Sequence, residues 1–174
     1  VEVPLHSIHY IDWIRSVLGN PKSVHCNSVK HPTVPKLADA RSSIILNYEK
    51  EVRCCLSINH THDIDKHGTK HSHAYARVEG LEGAAYIKFG LLLNYPNGEP
   101  EEIEISTNGV EWTKVNDVGT WFPDAFIGTM SSLQRFAAGE DKLLLHSVDN
   151  AYETMAVVYA CLDSNKNPGT RVNY

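Results

Sequence analysis

Near its start the chain reads Pro4-Leu5-His6-Ser7-Ile8-His9-Tyr10-Ile11-Asp12-Trp13-Ile14-Arg15-Ser16-Val17-Leu18-Gly19-Asn20-Pro21. Its apolar residues recur at the spacing of one helical face, which predicts an amphipathic helix; they are Ile8, Ile11, Ile14, Val17 and Leu18. Ser7 is the predicted N-cap, because its hydroxyl can accept a hydrogen bond from an amide of the first turn. Gly19 and Pro21 predict the end of the helix, since glycine adopts a left-handed conformation and proline cannot continue the helix.

His9 falls in the first turn of this predicted helix, near the positive end of its dipole. The dipole disfavours an imidazolium, so we expect a neutral ring. A neutral imidazole can take a proton from a substrate hydroxyl or return one. From these residues alone, a histidine that bonds a neighbouring backbone group is the simpler interpretation.

Further strands and helices follow this first helix. Alternating or apolar runs predict strands over 22–30, 41–48, 51–59, 74–78, 84–93, 102–106 and 110–115. Asn108-Gly109 predicts a hairpin turn, and 79–83 a second one. Helical periodicity appears over 124–138 (Phe126, Met130, Leu133, Ala137) and 147–162 (Val148, Ala151, Tyr152, Met155, Val158, Tyr159, Leu162). This order predicts an α+β fold with a largely antiparallel open sheet, helices packed on one face and the other face free to pair subunits.

The composition of the chain excludes some classes of function. The 174 residues are predicted to form one domain, and a net charge of −5 argues against nucleic acid as a partner. No apolar run approaches the ~20 residues of a membrane span. The four cysteines (Cys26, Cys54, Cys55 and Cys161) lack C-x-x-C spacing, which indicates reduced thiols in a cytoplasmic protein. No two glycines are separated by a single residue, so G-x-G-x-x-G is missing and the chain has no recognisable dinucleotide site.

The run His9-Tyr10-Ile11-Asp12, followed by Leu18-Gly19-Asn20-Pro21, resembles the H-x-I-D…L-G-x-P signature of the glucose–fructose oxidoreductase / inositol dehydrogenase / MocA (Gfo/Idh/MocA) family. In that family the signature opens the C-terminal, substrate-binding domain. Residues 139–142 and 147–162 resemble the closing pair of helices. The resemblance implies that 1–174 is that C-terminal substrate-binding and oligomerisation domain, with a dihydrodipicolinate-reductase-like fold and with the N-terminal Rossmann domain absent from this chain.

The resemblance also implies an activity. The whole protein would be an NAD(P)-dependent oxidoreductase that acts on a hydroxyl or carbonyl of a sugar, cyclitol or related polyol. NAD or NADP would be bound by the missing domain and not by this chain, so the isolated chain would be inactive. His9 would be catalytic and move the proton of the substrate hydroxyl, often with a lysine of the nucleotide-binding half. A homodimer through the open sheet face is expected.

One departure from the family concerns the residue four positions before this histidine. Many sugar and inositol dehydrogenases carry an aspartate there, whereas this chain has Leu5, which cannot accept a hydrogen bond. His6 could partly substitute and contact the substrate. Asp12 could orient the ring of His9, contact the substrate or simply pair with Arg15 at the helix surface.

A histidine-rich segment supplies a second hypothesis. Five of the ten histidines are His60, His62, His67, His71 and His73. On strands, His60-x-His62 and His71-x-His73 would each place two imidazoles on one face, which can chelate zinc or nickel. The alternative function is therefore a non-catalytic or metal-binding module that uses 60–73, although the spacing matches no structural zinc pattern and a polar strand–loop–strand crossing is simpler.

The resemblance gives weaker candidates for sugar contact as well. Family domains place strand ends from this part of the sheet near the substrate, which implies such a role for His60, His62 and His73. Trp121, which precedes Phe122-Pro123, could form an aromatic wall for a sugar ring. A buried anchor between helix and sheet is the alternative interpretation of Trp121.

Overall fold

The computed structural model describes residues 2–32, 34–49, 51–59, 74–90, 100–116, 119, 124–167 and 169. A π-helical turn, Val3–Ser7, runs directly into the helix α1. The helices are α1 (Ile8–Leu18), α2 (Ala125–Ala137) and α3 (Val148–Ser164). The strands are β1 (Ser23–Val29), β2 (Arg41–Asn47), β3 (Arg53–Asn59), β4 (Ala74–Glu79), β5 (Ala84–Phe89), β6 (Glu102–Ser106) and β7 (Thr113–Lys114).

The described strands form two antiparallel sheets, with strand orders β1-β2-β3 and β4-β5-β6-β7. The predicted α+β class with antiparallel strands is confirmed. The sequence predicted a single open sheet, and it did not predict this division. The chain groups into two compact units, one made of residues 1–63 and 146–174 and the other of residues 64–145.

The first unit is a three-stranded sheet with α1 and α3 on one face. Burial alternates along every strand: Cys26, Ile44 and Leu46 are fully buried, and their sequence neighbours are exposed or partly exposed. The core is completed by Val3 and Ile11 from the start of the chain and Val158 and Cys161 from α3. Period-two alternation therefore puts one face of the sheet in the core and leaves the other face exposed.

The start of α1 differs from the prediction. Ser7 is helical (φ −60°, ψ −28°) and its side chain caps nothing, because helical backbone already begins at Val3. Pro4 lies in the first turn of this helical stretch. Its fixed φ is suited to a helix, and an N–H at this position would have no acceptor within the helix. The predicted end is correct, since Gly19 has φ +77° and its N–H bonds the carbonyl of Arg15 at 2.9 Å.

The buried face of α3 also differs from the predicted stripe. Thr154, Val157, Val158 and Cys161 are buried, whereas Tyr152 and Tyr159 of the predicted stripe are exposed. The apolar side chains of α2 (Phe126, Met130, Leu133) remain about half exposed. Periodicity identified both helices, but it could not choose between faces of similar apolar content.

Two turns of the second unit depend on a glycine. In the turn between β4 and β5, a Cβ on Gly83 would lie 2.5 Å from the carbonyl oxygen of Ser106, so this backbone approach requires glycine. After β6, Gly109 has φ +74°, and the side chain of Asn108 accepts from the amides of Val110 and Glu111 at 2.9 Å each.

The second of these turns explains why the last predicted strand is short. The Asn108 side chain takes two amides that a strand over 110–115 would use in its ladder, so only Thr113–Lys114 pair with β6. The predicted strand over 84–93 ends at Phe89, because Gly90 is no longer part of it, and residues 91–93 lie outside the described part. Among the described residues, no helix has the length and apolar character needed to cross a bilayer.

Candidate functional site

His9 lies on the exposed side of α1. His9 is the second residue of α1, as predicted, but the π-helical turn Val3–Ser7 runs directly into this helix. What supports chemistry at His9 is its accessibility to a ligand.

Two neighbours of His9 are exposed one turn earlier. Leu5 is 56% exposed. His6 is half exposed, and its Nδ1 lies 3.5 Å from Oε2 of the buried Glu2. The buried carboxylate of Glu2 therefore lies close to the exposed imidazole of His6. We call the exposed surface of Leu5, His6 and His9 the histidine patch.

Tyr10 lies beside this patch and is half buried. Burial raises the pKa of its phenol, and the negative charge of Glu2 raises it further. The Glu2 carboxylate thus lies 3.5 Å from His6 and also raises the pKa of Tyr10.

On another side of α1, Arg15 is the centre of a polar cluster, and its side chain is only 5% exposed. It donates to Oδ1 of Asn20 at 2.7 Å, to Oε2 of Glu153 at 2.6 Å and to Oδ1 of Asn150 at 3.1 Å. It also donates to the hydroxyl of Thr154. Since Asn20 also donates to Glu153 at 3.0 Å, these bonds join the end of α1 to the first half of α3. We call this set the Arg15 cluster.

Asp12 belongs to the Arg15 cluster. Its Oδ1 accepts from the Thr154 hydroxyl at 2.5 Å and lies 3.4 Å from Nη1 of Arg15. Of the roles predicted for Asp12, the structure shows the pairing with Arg15. The carboxylates of Asp12 and Glu153 balance the charge of Arg15, so this cluster fastens two helices together.

The other predicted contact residues lie outside the described residues. His60, His62 and His73 belong to the segment 60–73, and Trp121 to 120–123. Within the described ranges, no group of three or more metal-ligating side chains comes together. The metal hypothesis for 60–73 therefore stays a prediction.

The sequence reasoning missed the Arg15 cluster as a unit, although a signal was present. Arg15 stands four residues after Ile11 and seven after Ile8, so it lies on the apolar face of the helix. A charged residue at such a position needs buried partners. The partners of Arg15 on α3, from Asn150 to Thr154, could not be identified by spacing because they lie at the other end of the chain.

Comparisons with known proteins give a likeness of fold. No model of a known protein family matches the chain, and no curated protein matches it in sequence. Among solved structures, an oxidoreductase of Agrobacterium radiobacter in complex with NAD⁺, L-tartaric acid and magnesium has a TM-score of 0.67 at 15% identity, over 93% of this chain and 46% of that one.

Two further solved structures are similar. The aldose–aldose oxidoreductase of Caulobacter crescentus, complexed with glycerol, has a TM-score of 0.63 at 12% identity, over 91% of this chain and 43% of that one. The biliverdin reductase of Synechocystis, in complex with biliverdin and NADP⁺, has a TM-score of 0.61 at 10% identity, over 91% of this chain and 44% of that one. This chain therefore has a fold found in oxidoreductases and spans less than half the length of these three.

Proposed function

We propose that this chain is the C-terminal, substrate-binding domain of an NAD(P)-dependent oxidoreductase of the Gfo/Idh/MocA family. The observation that carries the proposal is the coverage of the fold match. More than nine-tenths of this chain matches the three oxidoreductases, yet it accounts for less than half of each of them. The H-x-I-D…L-G-x-P signature lies at the start of the chain, where the family begins its second domain.

The cofactor belongs to another part of the proposed enzyme. This chain lacks G-x-G-x-x-G, the glycine pattern that admits a pyrophosphate to a helix N-terminus, so its residues do not fit a dinucleotide. NAD or NADP, held elsewhere, would supply hydride transfer. The isolated chain is accordingly expected to be inactive.

The histidine patch is the proposed contribution of this chain to the chemistry. His9 would accept the proton of a substrate hydroxyl during oxidation and return it during reduction. His6, which lies beside it and contacts Glu2, would bind the same substrate. His60, His62, His73 and Trp121 stay candidates for substrate contact, and Asp12 contributes to the site by holding α1 in place.

A sugar, cyclitol or related polyol is the proposed substrate. A supporting observation is that two of the matching structures hold polyhydroxylated small molecules, L-tartaric acid in one and glycerol in the other. The substrate class rests mainly on the family signature.

A homodimer through the open face of the sheet β1-β2-β3 is part of the proposal. That face carries exposed residues from all three strands, including Val29, Ile45 and Cys55. The four free thiols agree with a cytoplasmic location, where cysteines stay reduced.

The test is a kinetic one on the protein extended upstream of Val1 to include the nucleotide-binding half. We expect that protein to oxidise or reduce a polyol with NAD(P), and His9→Ala to lower kcat by about 100-fold or more, the usual contribution of a general acid–base. The matched control is His146→Ala, because His146 is also exposed but lies in the segment before α3.

Two outcomes would contradict the proposal. Unchanged kcat in His9→Ala would remove His9 from the mechanism while leaving the domain assignment intact. An upstream sequence without a βαβ unit and its glycine motif would overturn the assignment itself.

A further inference from the structure

Cys26 and Cys161 are two fully buried thiols on neighbouring elements of the first unit. Cys26 lies in the middle of β1 and Cys161 near the end of α3, and both have 0% exposure. The helix α3 packs directly on β1, and both cysteines belong to the core between them. They are 135 positions apart in sequence, so only the tertiary fold brings them together.

Hydrogen bonds fix the register of α3 over β1 at this point. The amide of Cys26 donates to the hydroxyl of Ser164 at 2.9 Å, and the amide of Ser28 donates to Oδ1 of Asn165 at 2.6 Å. Ser164 follows Cys161 by one helical turn, so both residues lie on the face of α3 that is turned to β1. The helix is thereby held with Cys161 beside Cys26.

We propose that Cys26 and Cys161 form a reversible intramolecular disulfide when the protein meets a disulfide oxidant such as glutathione disulfide, which would fasten the last helix to the first strand. The proposal concerns the stability of the first unit and does not depend on the enzymatic function proposed above.

The environment of Cys26 favours its thiolate as the attacking group. The Cys161 thiol donates a hydrogen bond to it and lowers the pKa of Cys26 to about 6, with help from the hydroxyl of Ser28, whose oxygen is 3.5 Å from the sulfur. The same contact, together with burial, raises the pKa of Cys161, so Cys161 keeps the proton that the two thiols share.

The reaction balances with one molecule of glutathione disulfide. The Cys26 thiolate attacks one sulfur, the S–S bond of the oxidant breaks, and one glutathione leaves as a thiolate that takes up the Cys161 proton. The Cys161 thiolate then attacks Cys26 in the mixed disulfide and releases the second glutathione. The second glutathione leaves as a thiolate and takes up from the solvent the proton that Cys26 had released. The protein thereby loses two protons and two electrons, and the oxidant becomes two glutathione thiols.

Burial makes local opening the slow step. β1 is an edge strand of its sheet, and Cys161 lies in the last turn of α3. A small opening at the end of this helix, with Cys161 still beside Cys26, would therefore admit the oxidant to the Cys26 sulfur. Exposure alone would instead predict oxidation at Cys55, the exposed thiol on β3. The adjacent Cys54 and Cys55 point to opposite faces of their strand and cannot easily pair with each other.

The experiment uses the purified protein with Cys55→Ser, incubated in native buffer with glutathione disulfide, alkylated and digested without reduction. We expect a peptide pair that links Cys26 to Cys161, and an intact mass lower by about 2 Da for the two lost hydrogens. Adding Cys161→Ser abolishes the link, and adding Cys54→Ser as the matched control leaves it unchanged.

A second measurement covers the case in which a core cysteine variant fails to fold. The wild-type protein is oxidised in native buffer, and its Tm is compared before and after a thiol reductant; the linked form should melt higher and lose this gain on reduction. The proposal is overturned if Cys26 ends only as a mixed disulfide with glutathione. It is overturned equally if the link involves Cys54 or a second copy of the chain, or if the link to Cys161 forms only in denaturant.

Discussion

The Arg15 side chain connects α1 to α3. This side chain is almost completely buried, and its guanidinium donates to a carboxylate, two amide oxygens and a hydroxyl. A buried guanidinium is tolerated only with such a set of partners. Glu153 is 53% exposed, so part of this cluster is screened by water and is worth less than a fully buried ion pair.

Arg15→Lys should lower the free energy of unfolding by about 2 kcal/mol, because an ammonium group cannot reach partners on both helices at once. Urea unfolding followed by circular dichroism measures the change. The matched control is Arg53→Lys, since Arg53 is exposed on β3. Its effect should stay within about 0.5 kcal/mol. Equal losses in the two variants would show that the Arg15 cluster contributes nothing specific.

Tyr10 gives a prediction about alkaline pH. Burial and the Glu2 carboxylate raise the pKa of its phenol above the ordinary 10.0. Such a group stabilises the fold fully below pH 10 and loses this contribution as the pH rises through its raised pKa, because the unfolded state then binds fewer protons. The free energy of unfolding should therefore fall more steeply above pH 10 in the wild-type protein than in Tyr10→Phe.

The measurement for Tyr10 is urea unfolding between pH 8.5 and 11, taken as the difference between wild type and variant. Tyr152→Phe is the matched control, because Tyr152 is 74% exposed on α3. Identical pH slopes for wild type and Tyr10→Phe would contradict the raised pKa of Tyr10.

At the scale of elements, the two serines that precede α1 and α3 behave differently. Ser147 has an extended backbone (φ −71°, ψ 162°), and its hydroxyl accepts from the amide of Asn150 at 3.2 Å, so it is a true N-cap. Ser7 is helical and fully buried, and among the described residues its hydroxyl has no hydrogen-bond partner. The same residue type therefore stabilises one helix and carries a desolvation cost in the other.

This difference predicts opposite results for one substitution. Ser147→Ala should destabilise the protein by about 1 kcal/mol, because an amide of α3 loses its acceptor. Ser7→Ala should be neutral or stabilising, because it removes a buried hydroxyl without leaving a partner unsatisfied. Thermal melting of both variants tests the pair, and a loss at Ser7 as large as that at Ser147 would restore Ser7 as a cap.

At the scale of the whole molecule, the open face of the sheet β1-β2-β3 is the surface that we propose for the homodimer. α1 and α3 cover one face, and the other exposes Ile45 by 46% and Val29 by 45% in the centre and at the edge of the sheet. Apolar side chains at the centre of an exposed face are typical of an interaction site. The polar residues around them, such as Arg53 and Ser57, suit the rim of such an interface.

Ile45→Arg should weaken self-association by at least tenfold in Kd, because it places a charge at the centre of the proposed interface. Sedimentation equilibrium over a range of concentrations measures this. Leu81→Arg is the control, since Leu81 is completely exposed in the turn between β4 and β5. A monomeric wild-type protein, or equal effects of the two variants, would rule out this dimer.

The sequence was sufficient for the positions of the elements. Local rules act within a few residues, so the alternation of Cys54, Leu56 and Ile58, the stop at Gly19 and the turn at Asn108-Gly109 could all be predicted. The H-x-I-D signature pointed to a fold that the solved structures confirm. Ser7 directly precedes α1 as predicted, but it does not cap the helix, because the π-helical turn that begins near Pro4 runs directly into α1.

Only the tertiary structure decided which face of α3 is buried, which residues of α3 bind Arg15 and which thiol lies beside Cys26. Each of these depends on contacts between the first thirty residues and the last thirty, for example Arg15 with Glu153 and Cys26 with Ser164. Periodicity shows that a face is apolar, and a charge shows that a partner is needed. Neither signal identifies a partner more than a hundred positions away, because such pairs form only when the sheet and the two helices pack around one core.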